Sequence, residues 1–143
     1  MLKPCIIGLG YVGLPILLNL SKKIKTIGFD INKKRILDLK NSRDTFNEFK
    51  KRDFAKKKIF FTNDVLKAKS ANFFIVAVPT PISKSKYPDL SHLKKVSENI
   101  SKILKKGDII FFESTVYPGV TNNLCKTILE KKSKLIEGKD FFI

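Results

Sequence analysis

Three features of the 143-residue sequence predict an α/β fold built on a parallel sheet with helices on both faces. Short apolar runs alternate along the whole chain with segments of helical periodicity, the pattern of strand–helix–strand crossovers. The run at 72–78, Asn-Phe-Phe-Ile-Val-Ala-Val, is apolar at consecutive positions, as a central parallel strand covered on both faces requires. The first apolar run ends in Gly8, Gly10 and Gly13, spaced G-x-G-x-x-G, and a leucine-rich segment follows. Together these features give a doubly wound parallel sheet of the Rossmann type in a single domain, with 3-2-1-4-5-6 as the default strand order. The length suffices for one domain with a sizeable core.

Each element follows from local pattern. Residues 3–8 read as a buried strand and 11–22 as a helix, with Pro15 near its first turn, where N–H groups lack intrahelical partners. Residues 26–30 form the second strand, and Asn32 caps a helix with Ile36 and Leu39 inward and Lys33, Lys34 and Arg35 outward. Between Lys40 and Lys58 the periodicity is lost among charged residues and Phe46, Phe49 and Phe54, leaving either a short irregular helix or a surface excursion. Residues 58–62 form a brief strand, and Thr62 or Asn63 caps a small helix through Val65 and Leu66. The strand at 72–78 stops at Pro79-Thr80-Pro81, where proline cannot donate to a ladder, and a polar, lysine-rich loop continues to Pro88.

Asp89 begins the clearest amphipathic helix, with Leu90, Leu93, Val96, Ile100 and Ile103 on one side. Lys105 and Lys106 complement its negative end and Gly107 suits a left-handed residue after its last turn. Residues 108–113 form another buried strand, 121–132 a helix with Leu124, Ile128 and Leu129 on its apolar side, and 140–143 the beginning of one more strand.

Composition excludes several classes. The net charge is +16, but arginine occurs only at Arg35, Arg43 and Arg52, and the lysines are spread along the chain on polar helix faces and in loops. Nucleic-acid recognition favours arginine's planar fork and a gathered basic patch, so no nucleic-acid partner is expected. Cys5 and Cys125 lack metal-ligand spacing, and both read as reduced thiols of a cytoplasmic protein, with no metal site. The start runs directly into a strand, leaving no room for a signal peptide, and no apolar run approaches the roughly 18 residues of a membrane span. His92, beside Ser91 at a helix start, reads as a surface or capping residue.

The glycine spacing points to a dinucleotide. Gly8 allows a sharp turn out of the strand, Gly10 lets the backbone approach a pyrophosphate, and Gly13 lets the helix pack closely. The helix start offers open N–H groups and a positive dipole end to phosphates. Asp30, at the end of the second strand, is placed to accept from the adenosine ribose hydroxyls and to repel a 2′-phosphate, which favours NAD over NADP. Ligands in such sheets collect at the carboxyl ends of strands where the order reverses, which adds the loop from Val78 through Pro79 and Thr80 to Pro81 and the loop from Glu113 to Gly119. Both loops border the ribose and nicotinamide end in this reading. Thr80, Ser114 and Thr115 could hydrogen-bond a ribose, a pyrophosphate or a catalytic water, or could simply stiffen turns.

Taken together, Gly8-Leu9-Gly10-Tyr11-Val12-Gly13-Leu14-Pro15, Gly28-Phe29-Asp30-Ile31-Asn32, Val78-Pro79-Thr80-Pro81-Ile82, Pro88-Asp89-Leu90 and Glu113-Ser114-Thr115-Val116-Tyr117-Pro118-Gly119 resemble the amino-terminal domain of the UDP-glucose/GDP-mannose dehydrogenase family. The resemblance covers essentially the whole chain, and the last motif is similar to the form found in the UDP-N-acetylhexosamine branch, which makes uronic acids for surface polysaccharides. It implies oxidation of the sugar C6 alcohol to a carboxylate, with two NAD⁺ consumed in succession and a cysteine thiolate capturing the intermediate aldehyde.

Carried onto this sequence, the resemblance gives Gly8, Gly10, Tyr11, Val12 and Gly13 to the pyrophosphate and Asp30 and Arg35 to the adenosine end. Thr80 and Thr115 contact the cofactor, Glu113 lies near the nicotinamide, and Thr115 helps position the catalytic water. The family's central and UDP-sugar-binding catalytic domains, with the catalytic cysteine and lysine, are absent from 1–143. The expectation is therefore the NAD-binding domain of a nucleotide-sugar 6-dehydrogenase, a fragment inactive alone, whose full-length form takes a UDP-sugar and is a homo-oligomer. The alternatives are a stand-alone NAD-binding regulatory module or a basic polyanion-binding domain.

Overall fold

The computed structural model describes residues 1–55, 57–81, 88–113 and 119–143. Five parallel strands, β1 (Pro4–Ile7), β2 (Thr26–Phe29), β3 (Ile59–Thr62), β4 (Phe73–Val76) and β5 (Ile109–Phe112), lie in the order β3-β2-β1-β4-β5. Four α-helices connect or follow them: α1 (Gly13–Leu20), α2 (Lys33–Lys40), α3 (Ser91–Ser101) and α4 (Lys126–Ser133). The order reverses between β1 and β4, with Cys5 of β1 in register with Ile27 on one side and Phe74 on the other. The final residues extend the series, since Phe142 bridges in parallel to Ile109, and its carbonyl accepts from Ile110 N at 2.8 Å. This is the start of the sixth strand that the default order places outside β5.

Strand alternation divides the core in two. Cys5, Ile7, Phe29, Phe74, Val76 and Ile110 face α3 and α4, where they meet Leu93, Val96, Ile100, Cys125 and Leu129. Ile6 faces the other way, under Leu14 and Leu17 of α1 and Ile36 and Leu39 of α2. β5 departs from the sequence expectation of a buried strand. Ile110 is fully buried, but Ile109 and Phe111 are 41% and 50% exposed, and the main packing of α1 and α2 is on β1, β2 and β3.

Four local readings are corrected by the partners these residues take in the fold. Arg35 points inward, at 7% exposure, although the helical pattern put it with the outward lysines. The short 3-10 helix Val65–Ala68 is capped by Asp64, whose side chain accepts from Leu66 N, while Thr62 Oγ1 accepts from Asp64 N. α3 ends at Ser101, so Lys105 and Lys106 do not lie in its last turn. Lys105 instead donates to the carbonyls of Lys69 and Ala71 and pairs with Asp108, and Lys106 pairs with Asp140. Gly107, at φ +84°, therefore serves the turn in which Asp108 N donates to Lys105 O, and not the helix end.

The irregular stretch after α2 is organised by one carboxylate. Asp44 accepts from the backbone N–H groups of Phe46, Glu48 and Phe49, an Asx-type turn that replaces regular structure with side-chain-to-backbone bonds. A 3-10 turn follows at Lys51–Phe54, and Phe49 and Phe54 pack against the core under α1 and α2. No helix among the described residues is long and apolar enough to cross a membrane.

The difference between the two sheet halves is measurable by urea unfolding. Phe74→Ala removes a fully buried ring and costs about 3–5 kcal/mol, whereas Phe111→Ala at the half-exposed face costs about 1 kcal/mol.

Candidate functional site

The site grows from the point where the strand order reverses. The Gly8 N–H donates to Phe29 O at 2.9 Å and the Ala77 N–H donates to Ile7 O at 2.8 Å, so the end of β1 is tied to both neighbours just as the chain leaves the sheet. Gly8 turns at φ +88°, a conformation other residues rarely adopt, and a Cβ on it would fall 2.7 Å from Ala77 O. At Gly13 a Cβ would fall 1.8 Å from Gly8 O, so the start of α1 rests directly on the turn. Gly10 is different, because among the described residues nothing beyond its chain neighbours lies within 4 Å of the place its Cβ would occupy.

Next to these glycines α1 begins at Val12 with no side-chain cap and no acidic residue in its first turn, leaving its positive end open to an anion. Leu9 is held from both sides. Its N–H donates to Asp30 Oδ2 at 2.9 Å and its carbonyl accepts from Arg35 Nε at 2.9 Å. Asp30 Oδ1 also accepts from Asn32 N at 2.9 Å. Each carboxylate oxygen thus has one bond in place and a further acceptor position in hand.

Two cavities meet at Gly10 and Asp30. One, of about 360 Å³, lies toward α2 and is bounded by Asn32, Lys34, Arg35, Thr45 and Phe46. The other, of about 280 Å³, is lined by Gly8, Ile31, Val78 and Pro79 and by His92, Lys95, Val96 and Asn99 of α3. Tyr11 stands between the glycine turn and the loop after α2, its ring stacked on Phe46 with centroids 4.3 Å apart. Phe46 in turn covers the Arg35 guanidinium, whose Cζ is 4.5 Å from the ring centroid.

Of the residues singled out from sequence, Gly8, Gly10, Asp30, Arg35, Val78 and Pro79 line these cavities, and Tyr11, Val12 and Gly13 form the adjoining turn and helix start. Thr80 follows Pro79 but lines neither cavity, and Glu113, at the carboxyl end of β5 where its N–H donates to Val76 O at 2.8 Å, lines neither as well. Ser114 and Thr115 lie outside the described residues, as does the loop at 82–87. Sequence reasoning missed the α3 wall and the Thr45–Phe46 rim. His92, Lys95 and Asn99 recur at helical spacing, the one signal that could have found a second face on α3. Nothing in the pattern announced Thr45 or Phe46, because Asp44 gathers that turn without periodicity.

Charge in the site is largely compensated. Asp44 pairs with Arg35 at 2.8 Å and Asp38 pairs with Arg43. Burial pushes the Asp44 carboxyl up, but hydrogen bonds from Arg35, Phe46 and Phe49 outweigh it and hold the group below the usual carboxylate range. Both cysteines are free and buried. Burial pushes the Cys5 thiol up to about 12 and raises Cys125 as well, so both stay protonated near neutrality. Among the described residues no group of His, Cys, Asp or Glu is arranged to hold a metal ion.

Comparison with known proteins gives a consistent result. The sequence profile of the UDP-glucose/GDP-mannose dehydrogenase family, NAD binding domain, matches residues 2–143. The chain is 45% identical over 142 residues to UDP-N-acetyl-D-glucosamine 6-dehydrogenase of Salmonella typhi, covering 99% of this chain and 33% of that protein. It is 47% identical over 138 residues to Protein CapL of Staphylococcus aureus, covering 96% and 32%. The solved UDP-D-ManNAc dehydrogenase of Pyrococcus horikoshii superposes with a TM-score of 0.89 at 29% identity, covering 98% of this chain and 34% of that one. The ternary complex of GDP-mannose dehydrogenase from Pseudomonas aeruginosa gives 0.90 at 26% identity, covering 96% and 34%. The chain thus spans about a third of the length of the relatives it matches.

The glycines predict two separable outcomes in thermal melts followed by circular dichroism. Gly13→Ala forces apart the turn and the helix and costs more than about 4 kcal/mol, whereas Gly10→Ala, entering open space, leaves the melting temperature near that of the parent.

Proposed function

The chain belongs to the UDP-glucose/GDP-mannose dehydrogenase family and carries its NAD-binding domain, and from that premise we propose that the glycine turn, Asp30 and the two adjoining cavities hold NAD for the oxidation of a UDP-N-acetylhexosamine. NAD⁺ supplies the hydride acceptor; this chain supplies its cradle. Gly8, Gly10 and Gly13 bring the backbone up to the pyrophosphate, and the open start of α1, with Tyr11 and Val12, offers N–H groups to its charge. Asp30 accepts from the adenosine ribose and repels a 2′-phosphate. Val78, Pro79 and Ile31 share a cavity with Asp30, which supports a place for Val78 and Pro79 beside the ribose that Asp30 holds. Glu113 and Thr80, at the carboxyl edge of the same sheet, are given to the nicotinamide side, and Ser114 and Thr115 to the cofactor by the family motif alone.

The observation that carries this reading is Gly10. Gly8 and Gly13 are crowded by the protein itself, but a Cβ at Gly10 would meet none of the described residues beyond its chain neighbours, and this open backbone supports close approach by a ligand. Arg35 adds to this, because its Nη2 is buried beside the cavity without a hydrogen-bond partner. Both features fit a bound polar ligand.

The substrate class is drawn from the relative of Salmonella typhi, a UDP-N-acetyl-D-glucosamine 6-dehydrogenase at 45% identity. The same reading makes the UDP-sugar the protein's small-molecule partner, makes the working enzyme a homo-oligomer and puts it in the cytoplasm; two free, buried cysteines suit a reducing compartment. With both thiols protonated and buried, no thiolate of these 143 residues captures an aldehyde. UDP-N-acetylglucosamine and NAD⁺ incubated with the chain are expected to give no rise in NADH absorbance.

Calorimetric titration tests the site directly. NAD⁺ is expected to bind more tightly than NADP⁺, and Asp30→Ala is expected to weaken NAD⁺ by about tenfold or more, equivalent to about 1.4 kcal/mol. Binding indifferent to Asp30, or equal for both dinucleotides, would overturn the assignment.

A further inference from the structure

Two marks in this sequence pull cofactor choice in opposite directions. An acid after the second strand selects NAD through the ribose 2′-hydroxyl, whereas an arginine nearby accommodates the 2′-phosphate of NADP. Asp30 and Arg35 line the same cavity, so by residue type alone the site carries both.

The geometry separates them. The guanidinium of Arg35 is committed on three sides: Nε donates to Leu9 O at 2.9 Å, and Nη1 donates to Asp44 Oδ1 at 2.8 Å and to Thr45 Oγ1 at 3.0 Å. Phe46 covers one face. The Asp44 side chain, 1% exposed, is fixed in its turn by the N–H groups of Phe46, Glu48 and Phe49. Nη2, with its two N–H groups, has no partner among the described residues, and the ion pair it belongs to carries no net charge. With the guanidinium charge balanced by Asp44, these N–H groups suit a neutral hydroxyl oxygen better than a phosphate dianion.

We propose that Asp44 is a positioning and specificity residue for the dinucleotide, acting through Arg35. It cancels the arginine's charge and aims its Nε at the Leu9 carbonyl, so the arginine braces the glycine turn and is withheld from a 2′-phosphate. Selection of NAD then has two parts, repulsion by Asp30 and sequestration of Arg35 by Asp44. The inference rests on the reading of the cleft as an NAD site.

The test is the ratio of Kd for NADP⁺ to Kd for NAD⁺, measured calorimetrically on the wild-type chain, Asp44→Asn and Thr45→Ala, with melts to verify folding. Asp44→Asn leaves the arginine charge unbalanced, and a charged donor newly offered to a phosphate is expected to lower the ratio by about tenfold or more. Thr45→Ala, at an exposed position, removes one acceptor of Nη1 and shifts the ratio in the same direction by a smaller factor. Adding Arg35→Met to Asp44→Asn restores the original ratio, because the gain passes through the guanidinium. If folded Asp44→Asn weakens both dinucleotides equally, Asp44 is structural only and the proposal fails. Should that variant not fold, an unchanged ratio in Thr45→Ala overturns it instead. Wild-type chain that binds neither dinucleotide overturns the reading of the cleft, a separate outcome.

Discussion

No side chain fits between Gly13 and the Gly8 carbonyl. A Cβ there would lie 1.8 Å from the oxygen, and one on Gly8 would lie 2.7 Å from Ala77 O, so the end of β1, the end of β4 and the start of α1 converge on a single backbone contact. That contact aims the open end of α1 at the crevice beside the reversal of strand order, and it puts the cavities along the carboxyl edge of the sheet. Between the two crowded glycines, Leu9 is fastened by Asp30 at its N–H and by Arg35 at its carbonyl. The turn is therefore shaped before any ligand arrives, which lowers the ordering cost of binding.

The sheet was legible in the sequence because parallel strands buried on both faces read as unbroken apolar runs, and all five stand where those runs fall. The bridge through Phe142 even marks the incipient sixth. Reading failed where a residue's partner is distant in the chain. Arg35 looks like its lysine neighbours on the helical wheel, and its burial follows from Asp44 nine residues on and Leu9 twenty-six back. Lys105 resembles a helix-terminal cation, but the carbonyls it serves belong to residues 69 and 71. The half-exposure of β5 accompanies the packing of α1 and α2 on the other strands, which no local window contains.

The candidate site divides along the same line. The glycines and Asp30 stood out because they fall in a fixed G-x-G-x-x-G spacing and at the end of the second strand, and Gly8, Gly10 and Asp30 line the cavities. His92, Lys95 and Asn99 wall the second cavity from one side of α3, but their polarity resembles an ordinary solvated face, and Thr45 and Phe46 lie on a turn defined by hydrogen bonds to Asp44. Phe46 also links the two halves of the rim, stacking on Tyr11 and covering Arg35. The described residues combine compensated charges, two buried thiols and a glycine turn left open at Gly10.

Residue-resolved amide hydrogen exchange with and without NAD⁺ tests the claim that this turn is preformed and meets the cofactor through its backbone. The account predicts a Leu9 amide protected in both states, because it donates to Asp30, and amides at Gly10, Tyr11 and Val12 that exchange quickly alone and slow when NAD⁺ is added. A Leu9 amide that exchanges freely without cofactor, or protection that appears elsewhere while residues 10–12 stay unchanged, would contradict it.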